Sequence, residues 1–340
     1  MIARASYGYT ASIVIVSFNT RELLGRCLDA LLEECARLGP GLSAEILVVD
    51  NASRDGSAQM VEENYAHSSV PVRLFASQIN LGFGAANNLA ITEAEGRFII
   101  LLNSDAFFHP GALEAAIRLI EAHPRAGASG AQLLNEDGSW QPSARSFHSI
   151  YRDALVLSGL PDRFPHSRLF GSPDRSWADP QEPAQVDWVT GAFMILRREA
   201  LATVGLFDPA FFLYCEEVDL CKRIQQGGFE LWYWPQIVVT HLGGASSKTV
   251  KNLFFSETAA QVVEWRMRSL LIYYRKHHGA QVWLARWLEE GFYLLRGLRN
   301  RISRLKWRKE RAAEAARMCE LMRQAWKATN GGRISPPHPW

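Results

Sequence analysis

No two of the five cysteines, Cys27, Cys35, Cys215, Cys221 and Cys319, form a C-x-x-C pair. An odd, scattered set suits neither a disulfide scaffold nor a zinc site, and it fits a reducing compartment. No stretch reaches the ~18 uncharged apolar residues needed to span a bilayer. The apolar run Ile13–Val16 is too short for the core of a signal peptide. These absences predict a cytoplasmic protein, with attachment to the inner face of a membrane as an open option. Internal repeats are missing, and so is a strong net charge, at +2 overall. The small total hides an asymmetry. Residues 296–311 (RGLRNRISRLKWRKER) hold eight Lys/Arg and one Glu, which leaves 29 basic and 34 acidic side chains elsewhere. The basic run points to a local surface contact rather than a generally basic protein, and no nucleic-acid partner is expected.

What is present suits a folded enzyme. The 340 residues are 48% hydrophobic, enough for one large α/β domain with or without an appendage. Ser12–Val16, Ile46–Val49, Val72–Ala76 and Arg97–Leu102 read as buried strands. Arg21–Leu38 carries apolar residues at helical spacing up to Gly39-Pro40-Gly41, Asp55–Glu63 is helical, and Asn80–Asn88 opens a third helix. Alternation of strand and helix predicts a doubly wound, mostly parallel sheet. Ligands of such sheets bind at the carboxyl ends of the strands, where this chain places Ser17-Phe18-Asn19, Asp50-Asn51 and Asn103-Ser104-Asp105.

The second half is less regular. Gly111–Glu121 is a helix and Ala126–Leu134 a strand. Residues 137–183 form a long insert, and Val186–Leu196 resumes an apolar pattern. Glu216–Gln226 starts a helix with acids first, and Ile237–Thr240 is a short strand ending at His241. Beyond about residue 250 the pattern is helical only. Leu284, Trp287, Leu288, Leu295, Leu298, Ile302 and Leu305 fall on one stripe. This stripe either packs on the protein or another subunit or, with its basic neighbours over 281–311, lies on an anionic membrane.

SIVIVSFNTRELLGRCLDAL, EILVVDNASRDGS, INLGFGAANNLAI and FIILLNSDA occur in that order. VDWVTGAFMILRREAL, GLFDPAFFLYCEEVDLCKRI and VVTHLGGASS come after them. Together these segments resemble family 2 glycosyltransferases of the GT-A fold, most closely the rhamnosyltransferase-like branch. The resemblance covers roughly residues 11–247. It implies a GT-A domain at 11–250, with a nucleotide-binding half at 11–105 and an acceptor half at 106–250. A helical, basic C-terminal extension occupies 251–340. It also implies inverting transfer of a sugar from a nucleotide-sugar donor, dTDP-rhamnose or else a UDP-sugar, to a surface-glycan or lipid-linked saccharide. The expected cofactor is Mg²⁺ or Mn²⁺.

Asp50 ends a buried strand, so the sheet edge holds its carboxylate rigidly. The resemblance makes it the acceptor for a pyrimidine N–H, although Asp50-Asn51-Ala52-Ser53 also suits a turn or cap. Ser17 and Asn19 are candidates for the same pocket or for loop hydrogen bonds. The segment containing Asn80, Gly82 and Asn87 has glycines where backbone can approach a ligand. It is neither a P-loop nor a dinucleotide fingerprint, and by resemblance it packs against nucleotide and sugar. Asn103 and Asp105 present oxygen ligands at i, i+2, a spacing that suits a hard divalent cation on a diphosphate. Asn103 stands where the family has Asp. It can coordinate or bind ribose without adding charge, which leaves Asp105 as the main ligand. A capping role is the plainer reading of Asp105. His241 is a candidate metal or diphosphate ligand.

Glu216, Glu217 and Asp219 concentrate three carboxylates, so at least one pKa is expected to rise. That suits a general base, which the resemblance assigns to Glu217 with Asp219 and Glu216 as alternates. Helix-start acids are the plainer reading. Trp188, Thr190 and Gly191 resemble the acceptor-side wall, although Trp188 also suits a core. A nucleotidyltransferase, or a carbohydrate-binding protein on a degenerate transferase fold, stays as an alternative.

Overall fold

A computed structural model describes residues 7–243, 257–301 and 306–336. The expectations for Gly244, Ser246, Ser247, Ile302 and Leu305 lie outside the described residues. The first half runs β1 (Tyr9–Ser17), α1 (Arg21–Ala36), β2 (Ala44–Asn51), α2 (Ser57–Tyr65), β3 (Val72–Ser77), α3 (Phe83–Glu93) and β4 (Gly96–Asn103). Next come β5 (Ala106–Phe108), α4 (Ala112–Ala122), β6 (Ala126–Leu134), β7 (Trp140–Gln141), β8 (Ala144–Arg145), α5 (Ile150–Ser158) and α6 (Leu160–Arg163). Beyond them lie β9 (Ala184–Gln185), β10 (Trp188–Val189), β11 (Phe193–Arg197), α7 (Arg198–Val204), α8 (Glu216–Gln226) and β12 (Glu230–His241). The C-terminal helices are α9 (Glu257–His278), α10 (Val282–Arg301) and α11 (Lys306–Ala328), with a 3₁₀ turn before α10.

The main sheet has the order β3-β2-β1-β4-β11-β6-β12-β5. Its first four strands are parallel, and β11 enters antiparallel between β4 and β6. The expectation of a mostly parallel, doubly wound sheet therefore holds, with one reversed strand at its centre. The central strands are apolar on both faces because helices cover both. Along β1, Ile13 and Ile15 face the layer of α1, α2 and α4, whereas Val14 joins the opposite core. That opposite core includes Ala86 and Ala90 of α3, Val218 and Cys221 of α8, and Met267, Leu271 and Tyr274 of α9. The C-terminal helices thus share a core with the sheet instead of hanging from it.

Two expectations need correction. The short strand at Ile237–Thr240 is the end of a twelve-residue strand, β12. Pro235 lacks an N–H, and the ladder to β6 slips between Trp234 and Val238, which splits the apparent pattern. The C-terminal stripe also divides, with Leu284, Trp287, Leu295 and Leu298 exposed on α10. Leu288 leaves the stripe and turns towards a cavity beside Glu217.

Candidate active site

The parallel strands end on one edge, and a cavity of about 630 Å³ opens there, lined by Phe18, Asn19, Asp50, Arg54, Gln78 and Asn80 among others. Asp50 is buried in its wall. One carboxylate oxygen accepts the Ser53 N–H at 3.1 Å, and the other, equally enclosed, has no partner among the described residues. A buried acceptor left open at a pocket wall is suited to an N–H from an occupant. Asn19 stands in the left-handed region and shapes the rim. Its N–H donates to Ser53 Oγ at 2.9 Å, and its side-chain oxygen accepts the Arg54 N–H at 2.8 Å.

Several expected nucleotide ligands serve the scaffold instead. Ser17 is fully buried, and its hydroxyl bonds Thr20, which in turn bonds Ser104, each at 2.9 Å. This ties the ends of β1 and β4 together and keeps the Ser17 side chain out of the pocket. Asn51 donates to Asn80 Oδ1 at 2.9 Å and accepts the Leu81 N–H at 2.8 Å, fixing the loop before α3. Asn87 is buried and donates to the Phe83 carbonyl one turn back. Gly82 has φ of +79°, and a Cβ there would stand 2.1 Å from the Phe212 carbonyl. Its freedom serves the approach of the acceptor half, not of a ligand. Asn88, which sequence reasoning passed over, exchanges two hydrogen bonds with the Phe207 backbone and joins the same halves.

At the far end of β4 a second group converges. His241 Nε2 lies 3.3 Å from Asp105 Oδ1 and 3.3 Å from Asn103 Nδ2. The other ring nitrogen, Nδ1, is 2.7 Å from Gln141 Oε1. Gln141 is held in that orientation because its amide nitrogen donates to Asn135 Oδ1 at 3.0 Å. Asn135 donates to Ser139 Oγ at 2.9 Å, and Ser139 donates to Asp137 at 2.5 Å. The chain has one direction, so His241 Nδ1 donates to Gln141 Oε1. Nε2 then lies between the Asp105 carboxylate and the Asn103 amide nitrogen. A carboxylate oxygen and an imidazole nitrogen 3.3 Å apart are a little wider than the ~3.0 Å edge of an octahedron of ~2.1 Å bonds, close enough to share a hard cation. No group of three or more His, Cys, Asp or Glu among the described residues could hold a metal ion. A pair of protein donors still suits a hard cation whose other ligands are diphosphate and water. Sequence reasoning missed Gln141, which lies in an insert without periodicity.

Tyr214 and Cys215 both adopt positive φ, 71° and 64°, immediately before α8. Two such non-glycine residues cost on the order of 1 kcal/mol or more each, and strain of this kind gathers at functional sites. These two residues deliver Glu216 and Glu217 at the start of the helix. Glu217 lines a cavity of about 320 Å³ with Arg145, His148, Trp188, Tyr214 and Arg266. Burial raises its carboxyl, against the pull of its own backbone N–H, the charges of Arg145 and His148, and the Gly191 N–H. Its Oε2 has no hydrogen-bond partner among the described residues. Glu216 is raised well above the ordinary carboxyl range, by burial and then by Glu217.

Asp219 does not belong to this cluster. It points to α9, and Lys276 and His277 of α9 at 2.7 Å and Arg223 of its own helix at 2.8 Å enclose it. Burial works to raise its pKa, but the bonds from His277 and Lys276 and the Arg223 charge bring it down to about 2. A carboxylate so neutralised is a poor proton acceptor.

The acceptor-side residues divide. Trp188 lines the cavity, with the Arg145 guanidinium over its ring and its indole N–H on the Ser146 carbonyl. Thr190 Oγ1 is buried without a partner among the described residues. Gly191 packs against Phe83, whose ring would stand 2.9 Å from an added Cβ. The Gly191 N–H reaches Glu217, and the carbonyl of the next residue, Ala192, accepts the Asn103 N–H at 3.1 Å. This short segment links the Glu217 carboxyl to the end of β4 beside Asp105. Arg145, His148 and Arg266 carried no sequence signal, since they come from the insert and from α9.

A pocket at the strand ends beside Asp50, the Asp105–His241 pair and a carboxyl with one open oxygen in a second cavity sit together on a doubly wound sheet, the layout of a nucleotide-dependent transferase. The Glycosyl transferase family 2 model matches residues 12–205, and the chain belongs to that family. N-acetylglucosaminyl-diphospho-decaprenol L-rhamnosyltransferase of Mycobacterium tuberculosis is 31% identical over 244 residues, 67% of this chain and 75% of that protein. Rhamnosyltransferase WbbL of Escherichia coli K12 is 26% identical over 202 residues, 56% of this chain and 69% of its own. Among solved structures, the mannosyltransferase PcManGT from Pyrobaculum calidifontis, in complex with GDP-Man and Mn²⁺, aligns with a TM-score of 0.56 at 15% identity. That alignment covers 95% of this chain and 90% of that one. GalNAc-T7, with UDP, GalNAc and Mn²⁺, aligns at 0.52 and 18% identity over 79% of this chain and about half (51%) of its own. These likenesses establish the GT-A fold, and the chain is a glycosyltransferase.

Proposed function

We propose that the chain is an inverting rhamnosyltransferase that uses dTDP-rhamnose, with a UDP-hexose as the second donor choice. Its acceptor is a lipid-linked saccharide of a growing surface glycan, met at the inner face of the membrane. The names of both curated relatives support the sugar, and the Mycobacterium tuberculosis relative supports the lipid-linked acceptor. The observation that carries the reaction is Glu217, half-buried, its enclosed Oε2 without a partner among the described residues, and linked through Gly191 and Ala192 to the end of β4.

In this reading the open Asp50 oxygen accepts the ring N–H of the thymine or uracil. Trp188 and Arg145 flank the acceptor sugar. Glu217 removes the proton of the acceptor hydroxyl as that oxygen attacks the anomeric carbon. The bond from that carbon to the diphosphate oxygen breaks, and the new bond forms on the opposite face. Asp105 and His241 would hold Mg²⁺ or Mn²⁺, which supplies positive charge for the departing diphosphate. A panel of dTDP-rhamnose and UDP-hexoses, each offered with a lipid-linked N-acetylglucosaminyl diphosphate, tests the reading. Release of dTDP with growth of the acceptor is expected. UDP release alone moves the donor, and no release with any pair sinks the proposal.

A further inference from the structure

Helix α10 (Val282–Arg301) has two faces of opposite use. Its inner face closes the Glu217 cavity with Ala285, Leu288 and Glu289. On its outer face Trp283, Leu284, Trp287, Leu294, Leu295 and Leu298 are exposed, Trp287 by 61% and Leu295 by 69%. At ~100° per residue these six side chains share an arc of about 120°. Between Trp283 and Leu298 the only other residue in that arc is Gly291, so this stretch of it carries no charge. It runs about 22 Å along the helix. An apolar strip of that size left open to water marks an interaction site.

Charge at one end says which kind. Arg299 borders the arc, and α11 starts beside that end with Trp307, Arg308, Lys309 and Arg311. Among the described residues Arg299, Arg308, Lys309 and Arg311 form no ion pair with an acid, while Arg308 and Arg311 lie over the Trp307 ring. By contrast, the other flank of α10 is neutralised, Glu290 pairing with Arg286 and Arg323. Trp and Leu on an uncharged arc, with cations at its end, fit a helix lying in the headgroup boundary of an anionic bilayer.

We infer that the outer face of α10, with the basic start of α11, docks the enzyme flat on an anionic membrane. The placement has a consequence for the substrate. Leu288 stands beside the arc and also lines the cavity, as does Val156, itself 56% exposed. The cavity mouth therefore adjoins the membrane-facing side, and the lipid of an acceptor can stay in the bilayer while its sugar reaches Glu217. This use of the surface rests on the lipid-linked acceptor proposed above; the docking itself does not.

The test is co-sedimentation of the full chain with phosphatidylglycerol and with phosphatidylcholine vesicles at low salt. Trp287→Glu/Leu295→Glu is the variant, since both side chains point to solvent and melting should stay unchanged. Wild type should bind phosphatidylglycerol at least tenfold more strongly than phosphatidylcholine, and the variant should lose binding. The variant should keep transfer to a water-soluble short-chain acceptor while losing transfer to a long-chain acceptor in vesicles. No vesicle binding by the wild type overturns the inference, as does equal binding to both lipids. A wild-type dimer split by the variant, without lipid binding, shows a self-interface and also overturns it. The vesicle assay contains neither donor nor acceptor. Binding without rhamnosyl transfer therefore sinks the proposed donor and acceptor alone, and transfer without binding sinks the docking surface alone.

Discussion

The two faces of α8 treat neighbouring acids in opposite ways. On the cavity face, Glu217 keeps an oxygen without a partner and is raised by burial. Two residues on, Asp219 faces α9, meets Arg223, Lys276 and His277, and falls to about 2. Loss of water around the carboxyl pushes both upwards, so desolvation alone does not separate them. The difference is whether a cation shares the space. A buried acid with cations in direct contact becomes a fixed anion that holds helices together. One whose cations stand further off stays able to take up and release a proton.

The largest expected effect tests the cavity face. Glu217→Gln should keep donor binding and lower transfer by ~10²–10⁴-fold, the usual share of a general base. Because its carboxyl is raised and must be ionised to act, wild-type transfer should fall as pH drops through a value above the ordinary carboxyl range. Near-normal turnover in the Gln variant, measured as nucleoside diphosphate release, would move the base elsewhere. The same substitution two residues on should act on stability instead. Asp219→Asn leaves Lys276, His277 and Arg223 facing an uncharged amide, and breaking such a buried group costs ~3–5 kcal/mol. The sign with pH is set by a depressed folded pKa. This stabilisation is complete above the unfolded aspartate value near ~3.9 and is lost as pH falls towards the folded value of about 2. Denaturant melts at pH 7 and pH 3 check both points. A variant as stable as wild type at pH 7 would erase the contrast between the two faces.

Why the sequence disclosed one half of this contrast is physical. The strands β1, β2 and β4 are apolar runs that end in polar residues, so Asp50, Asn103 and Asp105 could be placed at one edge from order alone. The acceptor half offers no such period. Arg145 and His148 come from the insert, and Lys276 and His277 reach Asp219 across more than fifty residues, 58 for His277. Three acids in four positions looked like one cluster because the cations that divide them lie on a distant helix. Gly82 and Asn87 misled for a related reason. Glycine and asparagine signal close approach or local hydrogen bonding without saying to what, and here Phe212 approaches Gly82 while Asn87 bonds the Phe83 carbonyl of its own helix.

Orientation by neighbours can be tested away from α8 with a smaller effect. Gln141→Leu removes the acceptor that holds the His241 proton on Nδ1. Loss of such an outer partner typically weakens a metal site ~10–100-fold. Mn²⁺ titration monitored by electron paramagnetic resonance, with nucleoside diphosphate present, should show that loss, and Gln141→Glu should restore much of the affinity. Equal Mn²⁺ affinity in Gln141→Leu removes the relay from the account.

The smallest expected effect concerns Glu216, the acid that neither takes part in the cavity nor finds a cation. Its carboxyl is raised well above the usual range by burial and by the Glu217 charge, and its Oε2 has no partner among the described residues. A raised folded pKa means the native state favours the protonated acid. The cost of ionising it is therefore absent below the unfolded carboxyl value and grows as pH rises towards the folded one. Glu216→Gln keeps the shape and removes that cost. The variant should melt slightly higher than wild type at pH 8 and equally at pH 4, with donor binding unchanged. A lower melting point at pH 8 would show that ionised Glu216 is stabilised in place, for instance by the start of α8. In that case cations at contact distance would not be what separates the two faces of the helix.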